Sequence, residues 1–119
     1  MDLSVVVPCY NEEESLRELH RRVKAACQAA PSIDKYEIVL VNDGSQDGTA
    51  RIMAELLKED DNLVIVDLSR NHGHQLALTA GLAQARGDFI FVLDADLQDP
   101  PELLTPMLER AYQGIDVVY

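Results

Sequence analysis

Asp94 and Asp96 stand two residues apart directly after a very apolar run, Phe89 to Leu93. On an extended chain residues two apart project to the same side, so both carboxylates can be aimed at one point. Two carboxylates that close repel unless a proton or a metal lies between them. Oxygen donors of this kind suit Mg²⁺ or Mn²⁺, which keep waters and accept phosphate oxygens as further ligands. Gln98 can supply a third protein oxygen. A lone Asp-x-Asp is more often an acidic solvated turn, but its place after a buried strand favours the metal reading.

Three further polar segments each follow an apolar run. Pro8, Cys9, Tyr10, Asn11 and Glu12 come after Leu3 to Val7. Asn11, with Glu14 three residues on, has the spacing of a capping box, which accounts for Asn11 but not for an aromatic and an acid beside it. Asn42 to Gly48 follows Tyr36 to Val41, and there Asp43 can accept a hydrogen bond from the ring N–H of uracil or guanine. Arg70, Asn71, His72, Gly73 and His74 follow Leu63 to Val66. Arg70 is the expected anion contact in that segment. His72 and His74 are read as exposed loop histidines rather than ligands.

Elements of a recognisable kind must position these residues. The four apolar runs and a fifth, Ile115 to Val118, read as buried strands. Four segments with helical spacing lie between them, the first with Leu16, Leu19, Val23, Ala26, Cys27 and Ala30 on one face. Asp99 with Glu102 forms a second candidate capping box, and Pro100 takes the first helical position. Gly87 and Gly114 are expected to stop the third and fourth helices, while Pro106 is expected to make the fourth irregular. Strict alternation predicts an α/β fold: a mostly parallel sheet with right-handed crossovers, helices on both faces, and a ligand beyond the carboxyl ends of the strands.

Composition narrows the partners. The 119 residues are enough for one core, with about two thirds of the unfolded surface buried. Twenty-one acidic against ten basic residues give a net charge of −11, which argues against nucleic acid or an anionic bilayer as a direct partner. An anionic ligand would need a local donor cluster or a metal cation. Cys9 and Cys27 fit free thiols in a reducing compartment, so a cytoplasmic location is expected. No apolar run reaches the ~18 residues that cross a bilayer.

Taken together, Val5 to Glu12, Val41 to Thr49, Arg70 to Gly73 and Asp94 to Glu102 resemble family 2 glycosyltransferases. Asp-Leu-Gln-Asp-Pro-Pro is similar to the polyprenyl-phosphate branch, the dolichol-phosphate mannose synthases and bactoprenol glucosyltransferases. The resemblance implies the Rossmann-like, nucleotide-binding half of a glycosyltransferase A type fold over residues 1–119. It also implies a UDP-sugar or GDP-sugar donor, a divalent metal, inversion at the anomeric carbon and a polyprenyl phosphate acceptor. Pro8, Tyr10 and Glu12 would border the nucleoside, Asp43 the base and Asp94 the ribose-diphosphate region. Asp96 and Gln98, with Asp94, would hold the metal. The general base and any membrane contact, at a cytoplasmic membrane face, are expected beyond Tyr119, leaving this span to bind donor with little or no transfer.

Other readings fit less well. A family 2 transferase with a glycan acceptor would share the donor motifs. A receiver-type signalling module also gathers aspartates at strand ends, but Asp67 is followed by Leu68-Ser69-Arg70-Asn71 rather than a matching pocket. A dinucleotide oxidoreductase would need Gly-x-Gly-x-x-Gly where Pro-Cys-Tyr-Asn stands.

Overall fold

A computed structural model describes residues 1–31, 33–95 and 100–112, without the side chains of 110–112. In chain order the elements are β1 (Leu3–Cys9), α1 (Leu16–Ala29), β2 (Tyr36–Asp43), α2 (Thr49–Glu59), β3 (Leu63–Leu68), α3 (His74–Gln84), β4 (Phe89–Val92), a 3₁₀ turn (Pro101–Leu103) and α4 (Leu104–Tyr112). The expected strand at Ile115 to Val118, the cap at Asp99 and the stop at Gly114 lie outside the described residues.

The strands form one parallel sheet in the order β3-β2-β1-β4. Alternation along the strands feeds two cores. Leu3, Val5 and Val7 of β1 with Ile38 and Leu40 of β2 face Leu16, Leu19 and Val23 of α1, Ile52, Met53 and Leu56 of α2, and Leu104 and Leu108 of α4. Val6, Val39 and Val41 point the other way, onto Ala77 of α3. Handedness explains this division. The chain steps from β1 outward to β3 with its helices on one face, then returns past β1 to β4, so the reverse crossover puts α3 on the opposite face. The adjacent pair β1 and β4 therefore marks the switch point of the sheet, where such folds open a crevice.

Several expectations about element ends are corrected. β1 continues through Pro8 rather than stopping there. The even-numbered residues of β1 bond toward β4, as Phe89 N–H to Asp2 O (3.1 Å) and Leu93 N–H to Val6 O (3.0 Å) show. The donor missing at Pro8 falls beyond the end of β4, so no ladder bond is lost. α1 begins after Ser15, not after Asn11. α3 ends at Gln84, with the Ala85 amide bonded back to Gly81 O (3.1 Å), and Gly87 is not its terminator. Gly87 instead allows close approach to the first strand, because a Cβ there would lie 2.4 Å from Ser4 N. Pro106 falls in the first turn of α4, where its absent N–H has no intrahelical role, and the irregularity is the 3₁₀ turn preceding that helix.

At the amino ends of the strands, Glu37 is buried and accepts from the Ser4 hydroxyl (2.6 Å), the Arg86 amide (2.7 Å) and the Arg86 guanidinium (3.1 and 3.2 Å). Burial opposes its ionisation, but these donors outweigh it and hold the carboxyl below its ordinary range. The connection from α3 to β4 is thereby tied under β1 and β2. No helix among the described residues is long and apolar enough to cross a membrane.

Candidate functional site

The switch point holds a cleft of about 410 Å³, within the range that takes small ligands. Its walls come from the ends of β1, β2 and β4 and the start of α3. Pro8 and Cys9 line it from the end of β1 and Tyr10 and Glu12 from the turn after it, Asp43 from the end of β2, Asn71 and Gly73 from the β3–α3 loop, His74 from the start of α3, and Asp94 and Ala95 from the segment after β4. Five of the residues singled out by sequence, Pro8, Tyr10, Glu12, Asp43 and Asp94, thus share one cavity. Arg70 does not line it. It lines a neighbouring pocket with Asn42, Gly44, Ser45, Asp67 and Asn71, on the side toward β3. Asp96 and Gln98 lie outside the described residues. His74, set aside as an exposed loop residue, stands in the cleft with Nε2 3.8 Å from Asp94 Oδ1. Only its position opening α3, a helix whose start depends on the fold, would have brought it forward.

Local chemistry explains how these side chains are held. Asp43, almost fully buried at the end of β2, accepts the amide N–H of His72 on Oδ1 (2.8 Å). Gly44 follows at φ +69°, close enough to the Arg70–Asn71 backbone that a Cβ would lie 2.3 Å from it. The β2–α2 and β3–α3 loops are thus locked together. Asn11 has φ +53°, uncommon for a residue with a side chain. Its amide donates to Ser45 Oγ (3.0 Å) and its side-chain oxygen accepts from Gln46 N–H (2.8 Å), so it joins two loops instead of capping α1. Glu13 N–H donates to Asp47 Oδ2 (3.3 Å), and the Glu13 carboxylate accepts from Gly48 N–H (3.2 Å). Ser15 Oγ donates to Ala95 O (3.1 Å), linking the start of α1 to the end of β4.

The cleft is acidic. Glu12, Asp43 and Asp94 line it, and its described lining includes no lysine or arginine. Cys9 is buried, which pushes its thiol well up and keeps it protonated and unreactive. A polyanionic ligand here would face like charge unless a cation came with it. The Asp94 side chain is about half exposed, a hard oxygen donor that fits Mg²⁺ or Mn²⁺. Among the described residues no group of three His, Cys, Asp or Glu converges on a metal position, so a full ligand set would draw on residues such as Asp96 and Gln98. Tyr10, 42% exposed, offers an aromatic face at the rim.

Comparison with known proteins adds to this geometry. The model of the family described as "Glycosyl transferase family 2" matches residues 4–119. An undecaprenyl-phosphate 4-deoxy-4-formamido-L-arabinose transferase of Pseudomonas fluorescens (strain SBW25) is 49% identical over 117 residues, covering 98% of this chain and 34% of that protein. The uncharacterized glycosyltransferase YkcC of Bacillus subtilis (strain 168) is 47% identical over 116 residues, covering 98% and 35%. The chain spans about a third of the length of the curated relatives it matches. Among solved structures, S. aureus TarS 1–349 in complex with UDP-GlcNAc superposes with a TM-score of 0.73 at 32% identity, covering 98% of this chain and 31% of that one.

Proposed function

The chain belongs to glycosyl transferase family 2, and from that premise we propose that its cleft binds a nucleoside diphosphate sugar with a divalent metal, for inverting transfer to a polyprenyl phosphate. The observation that carries the reading is the convergence of Pro8, Tyr10, Glu12, Asp43 and Asp94 on one acidic crevice at the switch point. The TarS complex with UDP-GlcNAc supports the donor class, and the undecaprenyl-phosphate transferases support the acceptor class.

Each residue has a task in this reading. Tyr10 covers a face of the base, a contact every base can make. Asp43 spends one carboxylate oxygen on the His72 amide and keeps the other to accept the ring N–H of uracil or guanine. Pro8 and Glu12 border the nucleoside. Asp94, with Asp96 and Gln98, holds Mg²⁺ or Mn²⁺, which when bound stabilises negative charge on the departing diphosphate. Burial of Asp43 and the cross-bonded loops keep Asp43 and the Tyr10–Glu12 turn in place before the donor arrives, so little ordering of them is left to binding. Because the chain spans about a third of its relatives' length, the role assigned to it here is donor binding rather than the complete transfer.

Calorimetric titration with UDP-glucose and GDP-mannose, each with Mn²⁺ and with chelator, tests the proposal. Saturable binding of one donor that chelation abolishes and Asp96→Ala removes is the expected result. Binding indifferent to chelator and to Asp96→Ala would overturn the metal assignment, and no binding of either donor by the folded chain would overturn the donor assignment.

A further inference from the structure

Thr49 opens α2 with none of its surface exposed, yet its side chain is polar. The hydroxyl makes two bonds of opposite sense. It donates to Asp47 Oδ1, and its oxygen accepts the amide N–H of Glu12 (2.9 Å). A hydroxyl has one proton, and an ionised carboxylate can only accept. Donation to Asp47 therefore turns the oxygen lone pairs toward Glu12. Asp47 is itself fixed by the Thr49 amide (2.9 Å) and the Glu13 amide (3.3 Å). Burial opposes its ionisation, but these donors outweigh it and hold the carboxyl below its ordinary value, so it stays an acceptor at neutral pH.

The peptide so gripped needs holding. Asn11 is in the left-handed region, uncommon for a residue with a side chain although asparagine adopts it more readily than most. The turn from Tyr10 to Glu13 edges the cleft, and Ser45, Gln46 and Asp47 of the β2–α2 loop and Thr49 at the start of α2 all bond it. Of these four, only Thr49 is fully buried.

We propose that Thr49 is a positioning residue for donor binding: its buried hydroxyl fixes the Glu12 amide and so the rim formed by Tyr10 and Glu12. It reaches the ligand only through that rim. This inference rests on the donor reading of the cleft.

Two measurements on Thr49→Val, which keeps the volume, and Thr49→Ser, which keeps the hydroxyl, separate the two ideas. Hydrogen exchange read by NMR on the chain without ligand should show the Glu12 amide losing protection about tenfold in Thr49→Val, the loss of one hydrogen bond, and keeping it in Thr49→Ser. Titration with UDP-glucose and GDP-mannose in Mn²⁺ should show affinity for the bound donor falling by about the same factor in Thr49→Val and recovering in Thr49→Ser. Should Thr49→Val fail to fold, Thr49→Ala removes the same hydroxyl and carries the same readouts. Wild-type affinity in the hydroxyl-free variant, or equal loss in Thr49→Ser, would overturn the proposal, the second because packing rather than the hydroxyl would be responsible. If the wild type binds neither donor, the functional reading fails by itself. The role in donor binding then falls with it, while the Glu12 amide still tests the contact itself: unchanged protection in Thr49→Val overturns the grip of the hydroxyl on the rim, and lost protection supports it.

Discussion

Gly44→Ala should loosen the floor of the cleft while leaving the sheet intact, and the size of the effect follows from the contacts. A left-handed backbone costs an alanine roughly 1–2 kcal/mol. The new Cβ would also lie 2.3 Å from Arg70 C and Asn71 N, where ordinary contact begins at 3.4 Å. Relief requires the β2–α2 and β3–α3 loops to part by about 1 Å, and that strains the 2.8 Å bond from the His72 amide to Asp43. A hydrogen bond to a charged group contributes about 1.5–3 kcal/mol, so losing part of it brings the total near 3 kcal/mol. At an unfolding entropy of roughly 2.1 cal/mol/K per residue, the melting midpoint of a chain this long should fall by about 12 °C. Calorimetric melting measures that shift, and hydrogen exchange at His72 localises it. A midpoint within about 2 °C of wild type, with the His72 amide as protected as before, would refute the claim that these loops are in backbone contact. Donor affinity should fall as well, since Asn71, Gly73 and His74 move with the displaced loop.

Two further outcomes are expected. Glu37→Gln should destabilise the chain by about 1–3 kcal/mol at neutral pH, because an N–H of the new amide would face the donors of Ser4 and Arg86 from a buried position. The wild-type carboxyl is held below its ordinary value, so its contribution is complete above about pH 4.3 and lost as pH falls through the depressed native value. Urea unfolding across that acid range should therefore give a flatter pH profile for the variant, and identical profiles would show that Glu37 does not carry the linkage. Tyr10→Ala should weaken donor binding by about tenfold or more, the usual worth of one stacked base, with little change in melting because the ring is 42% exposed. Unchanged affinity would remove Tyr10 from the site.

Much of this architecture was legible because the strands are nearly uniform apolar runs. Leu3 to Val7 and Tyr36 to Val41 can be satisfied only by burial on both faces, and in an alternating chain that means a parallel sheet. The gathering of Tyr10, Asp43 and Asp94 followed from the same rule, since each lies at or just past the carboxyl end of a parallel strand. What the sequence left unread are contacts between loops. Asn11 and Glu14 have the spacing of a capping box, but nothing local shows that Gln46 N–H will compete for the Asn11 side chain. Gly87 looks like a helix stop until β1 is beside it, when its missing Cβ is seen to admit the Ser4 backbone. Arg70 follows the right strand, yet β3 is the strand farthest from the switch point, and its side chain lines the neighbouring pocket. His74 is the reverse case, a loop histidine on local grounds that the reverse crossover carries to within 3.8 Å of Asp94.

The return of the chain past β1 also separates local strand pairing from long-range pairing. β1, β2 and β3 pair with sequence neighbours, with α1 and α2 on one face, so their contacts are the more local ones. β4, only four residues long, joins on the far side of β1 at a separation of more than eighty residues. The cleft straddles this seam, with Tyr10 and Asp43 on the locally paired side and Asp94 just after β4. A donor bridging them would act as a clasp. Its binding energy would resist detachment of the last strand and raise the stability of the seam in proportion to the logarithm of donor concentration.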